Sequence, residues 1–403
     1  MSRTNKRMTR VAHLITDLDT GGAEVMLCRL LEGVDRSRFT SDVVSMTGIG
    51  PVGRSIQALG IRVWSLGMRR GVPNPSGLAR MARYLSRYRP AILQCWMYHS
   101  NLLGSLAATL AGVGTAVVWG LHHSSLESDK WLTRITARAC GLISAWSPTR
   151  IVCCSDATRR YHGEMGYCRG KSVVIENGFD TDRYRPDPAA AGRLAKELGL
   201  DHDVAFIALV GRFHPQKDHR TFIDAASCVI AQYRRVHAVL CGDGVVPESR
   251  ILASWVAGTP FGSHFHLLGR RDDVSDILAA SIVVVSAASG EAFPMVIGEA
   301  MSCGSPCVVT DVGDSARLVA DTGVIVPPRN PEALATGILK VLAMSEEERT
   351  SRGRRARERI CQNFAIDHIV QRYQNLYDEV SKGEYMRRAP SCARNGTDSG
   401  ALP

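Results

Sequence analysis

The apolar residues of this chain fall into short unbroken runs separated by segments of helical spacing, and the alternation begins near the N-terminus. VAHLITDL is a run that leads into Gly21 and Gly22, and AEVMLCRLLEGV after it returns to apolar positions every three or four residues. A strand followed by a helix is predicted. SDVVSM, IRVWSL, AILQCWMY, TAVVWGLH, IVCCS and SVVIENG read as further strands, with helical patterns between them. Strands alternating with helices imply a parallel sheet covered by helices on both faces.

The run from Leu102 to Leu121 carries no charge over twenty residues, long enough to cross a bilayer. It is poor in large aliphatics, Gly112 and Gly114 interrupt it, and its end, TAVVWGL, is β-branched. A helix, a glycine turn and a buried strand are therefore predicted in place of a span.

A loop rich in Asp, Arg and Pro, from Asn177 to Pro188, breaks the rhythm, which restarts with VAFIALVGR, HAVLCGDG, HFHLLGR, SIVVVSA, PCVVTDVG and TGVIVP. The predicted fold class is α/β, two facing doubly wound Rossmann-like domains over residues 1–185 and 186–365. A C-terminal helix, 366–386, is expected to cross back to the first domain, followed by a disordered tail, 387–403. Ligands of such folds bind beyond the carboxyl ends of the strands, so the expected site is an interdomain cleft.

Charge changes the picture because it is unevenly placed. Residues 1–186 hold 25 Lys and Arg against 13 Asp and Glu, a net of +12, whereas the rest holds 24 against 26, a net of −2. Between Asp42 and Glu127 there are eight arginines and no acid. Arg80, Arg83 and Arg87 share a helical face in GLARMARYLSRYRP, with Leu78, Met81, Tyr84 and Leu85 offering apolar surface elsewhere on that helix. An anionic membrane surface or an anionic lipid substrate is the partner this suggests, with a plain solvated helix face as the alternative. Nucleic acid is not expected, since few aromatics interleave with the basic residues.

No apolar stretch of signal-peptide length precedes the first strand pattern, and the twelve cysteines form no C-x-x-C pair. A cytoplasmic chain with reduced thiols is expected, peripheral on the inner face of the membrane if the basic helix docks there. Cys303 and Cys307 lie four apart, but two ligands alone make a weak metal signal, so no metal site is assigned.

The strongest chemical signal is SGEAFPMVIGEAMSCGSPCVVTD, Ser289–Asp311. Glu291 stands in the turn after a buried strand and Glu299 within a helix starting near Pro294 or Met295. The backbone N–H groups of Phe293, Pro294's neighbours Met295 and Val296, and the helix start itself face the cleft as an anion or hydroxyl site. Pro294 costs nothing there, since its missing N–H would be unpaired. In VGRFHPQKDH, Arg212 and Lys217 follow the second domain's first strand, placed to neutralise a diphosphate.

Taken together, these residues resemble the retaining glycosyltransferases of the GT-B fold, family 4. The likeness rests on E-x(7)-E at Glu291 and Glu299, G-R-x(4)-K at Gly211, Arg212 and Lys217, and GGAE at Gly21 to Glu24. CGDG at Cys241–Gly244, LGRRDDV at Leu268–Val274 and IENGFD add to it. The resemblance implies transfer of a sugar from a nucleotide diphosphate sugar with retention of configuration, no cofactor and no obligatory metal. It implies Arg212 and Lys217 on the donor diphosphate, Glu299 on the ribose, Glu291 beside the donor sugar, Arg270 near the base, and Gly22 where the backbone approaches the phosphates. Phe293, Pro294, Met295 and Val296 complete the donor-binding segment. A histidine of the first domain is expected near the reacting sugar. LHHSS offers His122 and His123 on opposite faces of a strand end, and His123, followed by Ser124, is the residue assigned. The expected acceptor is a lipid-linked glycan or oligosaccharide in cell-surface polysaccharide or glycolipid synthesis. A nucleotide-sugar epimerase of like fold, or a noncatalytic nucleotide-binding protein, are the alternatives.

Two departures stand out. Where the family commonly has TDVGG and a Glu three positions on, TDVGDSAR has Asp314 and Arg317. D-x-D spellings at Asp17 and Asp19, Asp180 and Asp182, and Asp201 and Asp203 read as chance. Gly48, Gly50 and Gly53 spell the G-x-G-x-x-G of a dinucleotide-binding turn, but no carboxylate follows until Glu127, so a nicotinamide cofactor is excluded and a flexible loop on the acceptor side is expected.

Overall fold

The computed structural model describes residues 8–69, 74–126 and 130–383; the tail expected over 387–403 lies outside them. The first domain alternates β1 (Thr9–Ile15), α1 (Gly22–Gly33), β2 (Phe39–Ser45), α2 (Pro51–Ala58), β3 (Arg62–Ser65), α3 (Pro75–Tyr88), β4 (Ile92–Trp96), α4 (Tyr98–Ala111), β5 (Ala116–Leu121), α5 (Trp131–Ile143), β6 (Arg150–Cys153), α6 (Asp156–Glu164) and β7 (Ser172–Val174). Its sheet is parallel, in the order β3-β2-β1-β4-β5-β6-β7.

The second domain follows with α7 (Ala190–Glu197), β8 (Ala205–Val210), α8 (His219–Gln232), β9 (Val236–Cys241), α9 (Arg250–Ala257), β10 (Phe265–Leu267), α10 (Val274–Ala280), β11 (Ser281–Ser286), α11 (Met295–Ser302), β12 (Cys307–Thr310), α12 (Ser315–Val319), β13 (Val324–Val326), α13 (Pro331–Leu342), α14 (Glu346–Asn363) and α15 (Ile366–Ser381). Its parallel sheet runs β10-β9-β8-β11-β12-β13. Each sheet reverses its winding once, between β1 and β4 in the first and between β8 and β11 in the second. Side chains converge in the crevice beyond the strand ends at such a reversal.

Two apolar layers sandwich the first sheet. Val11, Ile15, Ile92, Trp96 and Val118 pack under α1, α2 and α15, while Leu14, Leu93, Cys95 and Trp119 pack under the layer that includes α3, α4 and α5. The last helix thus belongs to the first core: Ile369, Val370, Tyr373 and Tyr377 are buried in it, and Asp378 pairs with Arg38. The chain passes between the domains twice, and the passages touch. Phe179 N–H donates to the Phe364 carbonyl at 2.9 Å and Ile366 N–H to the Phe179 carbonyl at 2.9 Å.

The uncharged run resolves as α4, a turn with Gly112 at φ +61° and Gly114 at φ +72°, and β5. Left-handed backbone at both glycines ends the helix and redirects the chain, which side chains resist there. Among the described residues, no helix is long and apolar enough to cross a membrane.

Two expectations need correction. Met81, Tyr84 and Leu85 of α3 are buried against the sheet, so that side of the helix is core and only the arginine face meets solvent. Of the glycines at 48, 50 and 53, only Gly48 has open space around it. A β-carbon at Gly50 would strike the Leu18 carbonyl, and one at Gly53 would crowd Ile49 and Leu18. These two glycines are close-packing residues that let α2 begin against the chain leaving β1, rather than a flexible loop.

Candidate functional site

The strand-end loops of the second domain are stitched into a ledge by their own backbone. Gly211 N–H donates to the Cys241 carbonyl at 2.8 Å, Phe213 N–H to Asp243 at 2.7 Å, and Gly242 N–H to Gly269 at 2.8 Å. Gly242 has φ +152°, and a β-carbon on it would collide with the Gly211 carbonyl, so the loops can meet this closely only through glycine. The ledge carries Arg212 and Arg270, both exposed.

Lys217 closes a single 3₁₀ turn, Pro215–Lys217, whose Gln216 carbonyl accepts from Ser289 N–H at 2.8 Å. That bond lays the turn against the segment leaving β11, and the Lys217 ammonium forms an ion pair with the Glu291 carboxylate. Behind Glu291, Gly313 at φ +57° approaches its carbonyl too closely for any side chain.

α11 starts with Pro294 at its N-cap and Met295 as its first residue. Its leading N–H groups have no acceptor within the helix and carry the positive end of its dipole. Phe293 contributes only backbone, because its ring is buried with ring centres 6.0 Å from Phe179 and 5.7 Å from Phe364. Met295 and Val296 are half-buried. Gly22 of the first domain lies opposite: a β-carbon there would stand 3.8 Å from Met295 Cγ. The two domains approach each other at the helix start.

Glu299 is buried and faces the first domain, where Arg29 of α1 donates to its Oε1 at 2.6 Å and to the Gly178 carbonyl at 3.0 Å. Burial disfavours the Arg29 charge, yet Glu299 more than offsets it and holds the guanidinium's pKa above its ordinary value. Arg29 is absent from the sequence reading because its partner is 270 residues away. Its signal was an arginine among apolar positions on a helix, which needs a partner once buried.

The two histidines after β5 separate as their alternation requires. His122 stacks on Trp96 with ring centres 5.3 Å apart, and neither ring nitrogen has a hydrogen-bond partner among the described residues. Burial, with a smaller push from His123, drives its pKa down to about 3, so it is neutral. His123 lies on the other face, edge-on to Tyr98 at 5.6 Å; the Tyr98 hydroxyl meets His162 Nε2 at 2.7 Å. The next residue, Ser124, donates its hydroxyl to the Glu291 carbonyl at 2.6 Å across the cleft.

Glu24, in the first turn of α1, is a further ionisable group at this seam. Burial pushes its carboxyl up to about 7, Asp17 and Asp19 add to the shift, and the positive charge of Arg212 in the other domain opposes it. A carboxyl that titrates near neutrality beside a cleft cation is a common mark of a functional site.

Asp314 and Arg317, the departures in sequence, serve the seam itself. Asp314 accepts from the Asp156 and Ala157 N–H groups at 3.0 and 2.8 Å, capping α6 of the first domain from the second. Arg317 reaches Glu176 at 2.7 Å, Asp314 at 3.1 Å and Asp156 at 3.3 Å, and Arg372 pairs with the other Glu176 oxygen. Burial would raise the Glu176 carboxyl, but Arg317 and Arg372 outweigh it and hold it below the ordinary carboxylate range.

The cleft therefore joins two cations, a helix N-terminus, two carboxylates and a histidine-bearing strand end. That set can take up a dianion and leave a carboxylate beside whatever the dianion carries. Among the described residues, no cluster of three or more His, Cys, Asp or Glu side chains could hold a metal ion.

Comparison with known proteins matches residues 20–183 to the model described as Glycosyltransferase Family 4 and residues 205–344 to Glycosyl transferases group 1. A galactosyltransferase of Escherichia coli, UDP-Gal:alpha-D-GlcNAc-diphosphoundecaprenol alpha-1,3-galactosyltransferase, is 25% identical over 77% of this chain and 80% of its own length. The putative glycosyltransferase EpsF of Bacillus subtilis is 26% identical over 76% and 80%. The fold superposes on Anabaena HepE in complex with UDP-glucose with TM-score 0.80 at 22% identity, over 92% of this chain and 99% of that one.

Proposed function

The chain belongs to the GT-B glycosyltransferases of group 1 and family 4 and moves a sugar from a nucleotide sugar, and we propose that it does so with retention, onto a lipid-linked glycan of a cell-surface polysaccharide or glycolipid. The observation that carries the reading is the meeting of Lys217, Glu291 and the start of α11 at one point of the cleft, with Gly22 and Ser124 reaching it from the other domain. The E. coli relative, whose name gives an acceptor on diphosphoundecaprenol, supports the lipid-linked acceptor.

The roles follow from charge. In transfer, the bond from the anomeric carbon to the diphosphate oxygen breaks with its electron pair leaving on the diphosphate. A new bond forms from an acceptor oxygen, whose proton passes to the diphosphate oxygen that departs. Arg212, Lys217 and the α11 N-terminus take up the growing negative charge, so no metal is called for. Diphosphate binding draws Lys217 away from Glu291, and the freed carboxylate then faces the donor sugar as positive charge grows on it. Glu299 holds the ribose, and Arg29 positions its carboxylate. His123 serves the reacting sugar, and Arg270 stands where the base would lie.

A thermal-shift screen of nucleotide diphosphates, followed by incubation of nucleotide sugars with lipid-linked acceptors, tests this. One nucleotide should stabilise the protein selectively, and Glu299→Ala should weaken its binding roughly tenfold or more, the loss of hydrogen bonds to a charged group. If no donor is turned over and Glu299→Ala binds nucleotide like the wild type, the reading is wrong.

A further inference from the structure

α4 and α5 pack side by side over the first sheet, and their outward faces are apolar. Trp131, Ile135 and Leu142 form one stripe along α5, at 71%, 51% and 76% exposure, and Trp146 just beyond the helix reaches 78%. Leu106 and Leu110 of α4 are 46% and 66% exposed, and Leu106 lines a shallow surface recess together with Trp146. These six side chains are thus two neighbouring rows rather than scattered residues. Exposed apolar patches of this extent on a folded domain mark contact surfaces.

The charges around the patch say what it contacts. Arg134 and Arg138 lie exposed beside the α5 stripe, and Arg80, Arg83 and Arg87 form the outer face of α3, which packs on α4 from the other side. None of the three helices contains an acidic residue. An apolar band edged by arginines and carrying two tryptophans suits the boundary of a bilayer, where indole rings sit at headgroup level and cations meet anionic lipid. A second copy of the chain would bring the same arginines against one another.

We propose that the α4–α5 face, flanked by the arginines of α3, docks on the surface of an anionic phospholipid bilayer. Trp131 opens α5 a few residues beyond His122 and His123. Docking there lays the α4–α5 face along the membrane, with Trp131 at the cleft end and Leu110 and Trp146 at the opposite end, toward the turn that precedes β5; that the cleft then takes its acceptor from the bilayer rests on the reading of the acceptor as lipid-linked. This places the docking surface on the apolar band of α4 and α5, because the apolar side of α3 is already buried.

Flotation of the full chain with vesicles of phosphatidylcholine, or of phosphatidylcholine with about a third phosphatidylglycerol, tests the proposal. Binding to the anionic vesicles should exceed binding to neutral ones roughly tenfold and fall as salt rises. Trp131→Ser with Trp146→Ser should lower it roughly tenfold, and Arg134→Glu with Arg138→Glu at least as much. All four substituted positions are on the surface, so thermal melting and UDP binding by calorimetry should match the wild type in both variants. Equal recovery with neutral and anionic vesicles overturns the proposal, as do α5 variants that bind like the wild type. So does a concentration-dependent dimer that these substitutions abolish. If the wild type floats with anionic vesicles but binds no nucleotide and turns over no donor, the docking surface stands and the transferase reading alone falls.

Discussion

Two groups of charges lie where the domains meet, and they are built differently. At the cleft, Lys217 is paired with Glu291 and Arg29 with Glu299, so each cation has one carboxylate. At the start of α6, Glu176 has an arginine on each oxygen, and both Asp314 oxygens accept backbone N–H groups while Arg317 adds a third donor. A saturated group has nothing left to offer a ligand, whereas a single pair can exchange partners. The first group suits work on a substrate and the second suits holding the domains in register.

The comparison can be broken by removing one member from each side. Lys217→Ala should have the largest effect, lowering turnover by about 10²- to 10³-fold, as loss of one preorganised charge-stabilising group does, with melting temperature nearly unchanged. Steady-state kinetics alongside thermal melting checks this, and a large fall in stability with intact turnover would reverse the two roles. Asp314→Ala should do the opposite, costing about 1–3 kcal/mol of stability, since buried partners lose their acceptor, while turnover per folded molecule stays near that of the wild type. Urea unfolding reads the first quantity and active-site titration with nucleotide the second.

Glu24 sharpens the contrast with the smallest effect. Its carboxyl is raised from 4.5 to about 7, so the native state keeps a proton that the unfolded chain releases. Its contribution is present below pH 4.5 and is lost as pH rises through about 7. The melting temperature of Glu24→Gln relative to the wild type should therefore climb across that window. A flat difference would mean that Glu24 is ionised throughout. The buried histidines titrate in the opposite sense and cancel in this difference, because both proteins carry them.

Much of the cleft was legible in sequence because its motifs are local. E-x(7)-E and the strand–Gly-Arg segment each lie within a short stretch of chain, a strand end and what directly follows it, so spacing alone locates them on the fold. The continuous apolar runs marked the strands for the same reason. What stayed hidden was contact between distant residues. Arg29 meets Glu299 only after both domains form, and Asp314 caps a helix 158 positions away, so TDVGDSAR showed an acid missing at Arg317 without showing what Asp314 does. Residue type was equally ambiguous for Gly50 and Gly53, where the absence of a side chain allows close packing instead of mobility. The apolar side of α3 was read correctly as apolar and wrongly as surface, because periodicity reports a stripe without saying what covers it.

The two chain passages at Phe179 and Phe364–Ile366 are hydrogen-bonded to each other, like the two leaves of a hinge sharing one pin. A body fastened along one short line can swing about that line but cannot slide or twist freely past its neighbour. Opening of the cleft to admit a bulky acceptor would break the bonds from Arg29, Ser124, Asp314 and Arg317 before it turned about that line. Ring contacts of Phe293 with Phe179 and Phe364 place the first residues of α11 almost on the axis, where swinging moves them least. The donor's phosphate seat would keep its shape while the far lip of the cleft travels.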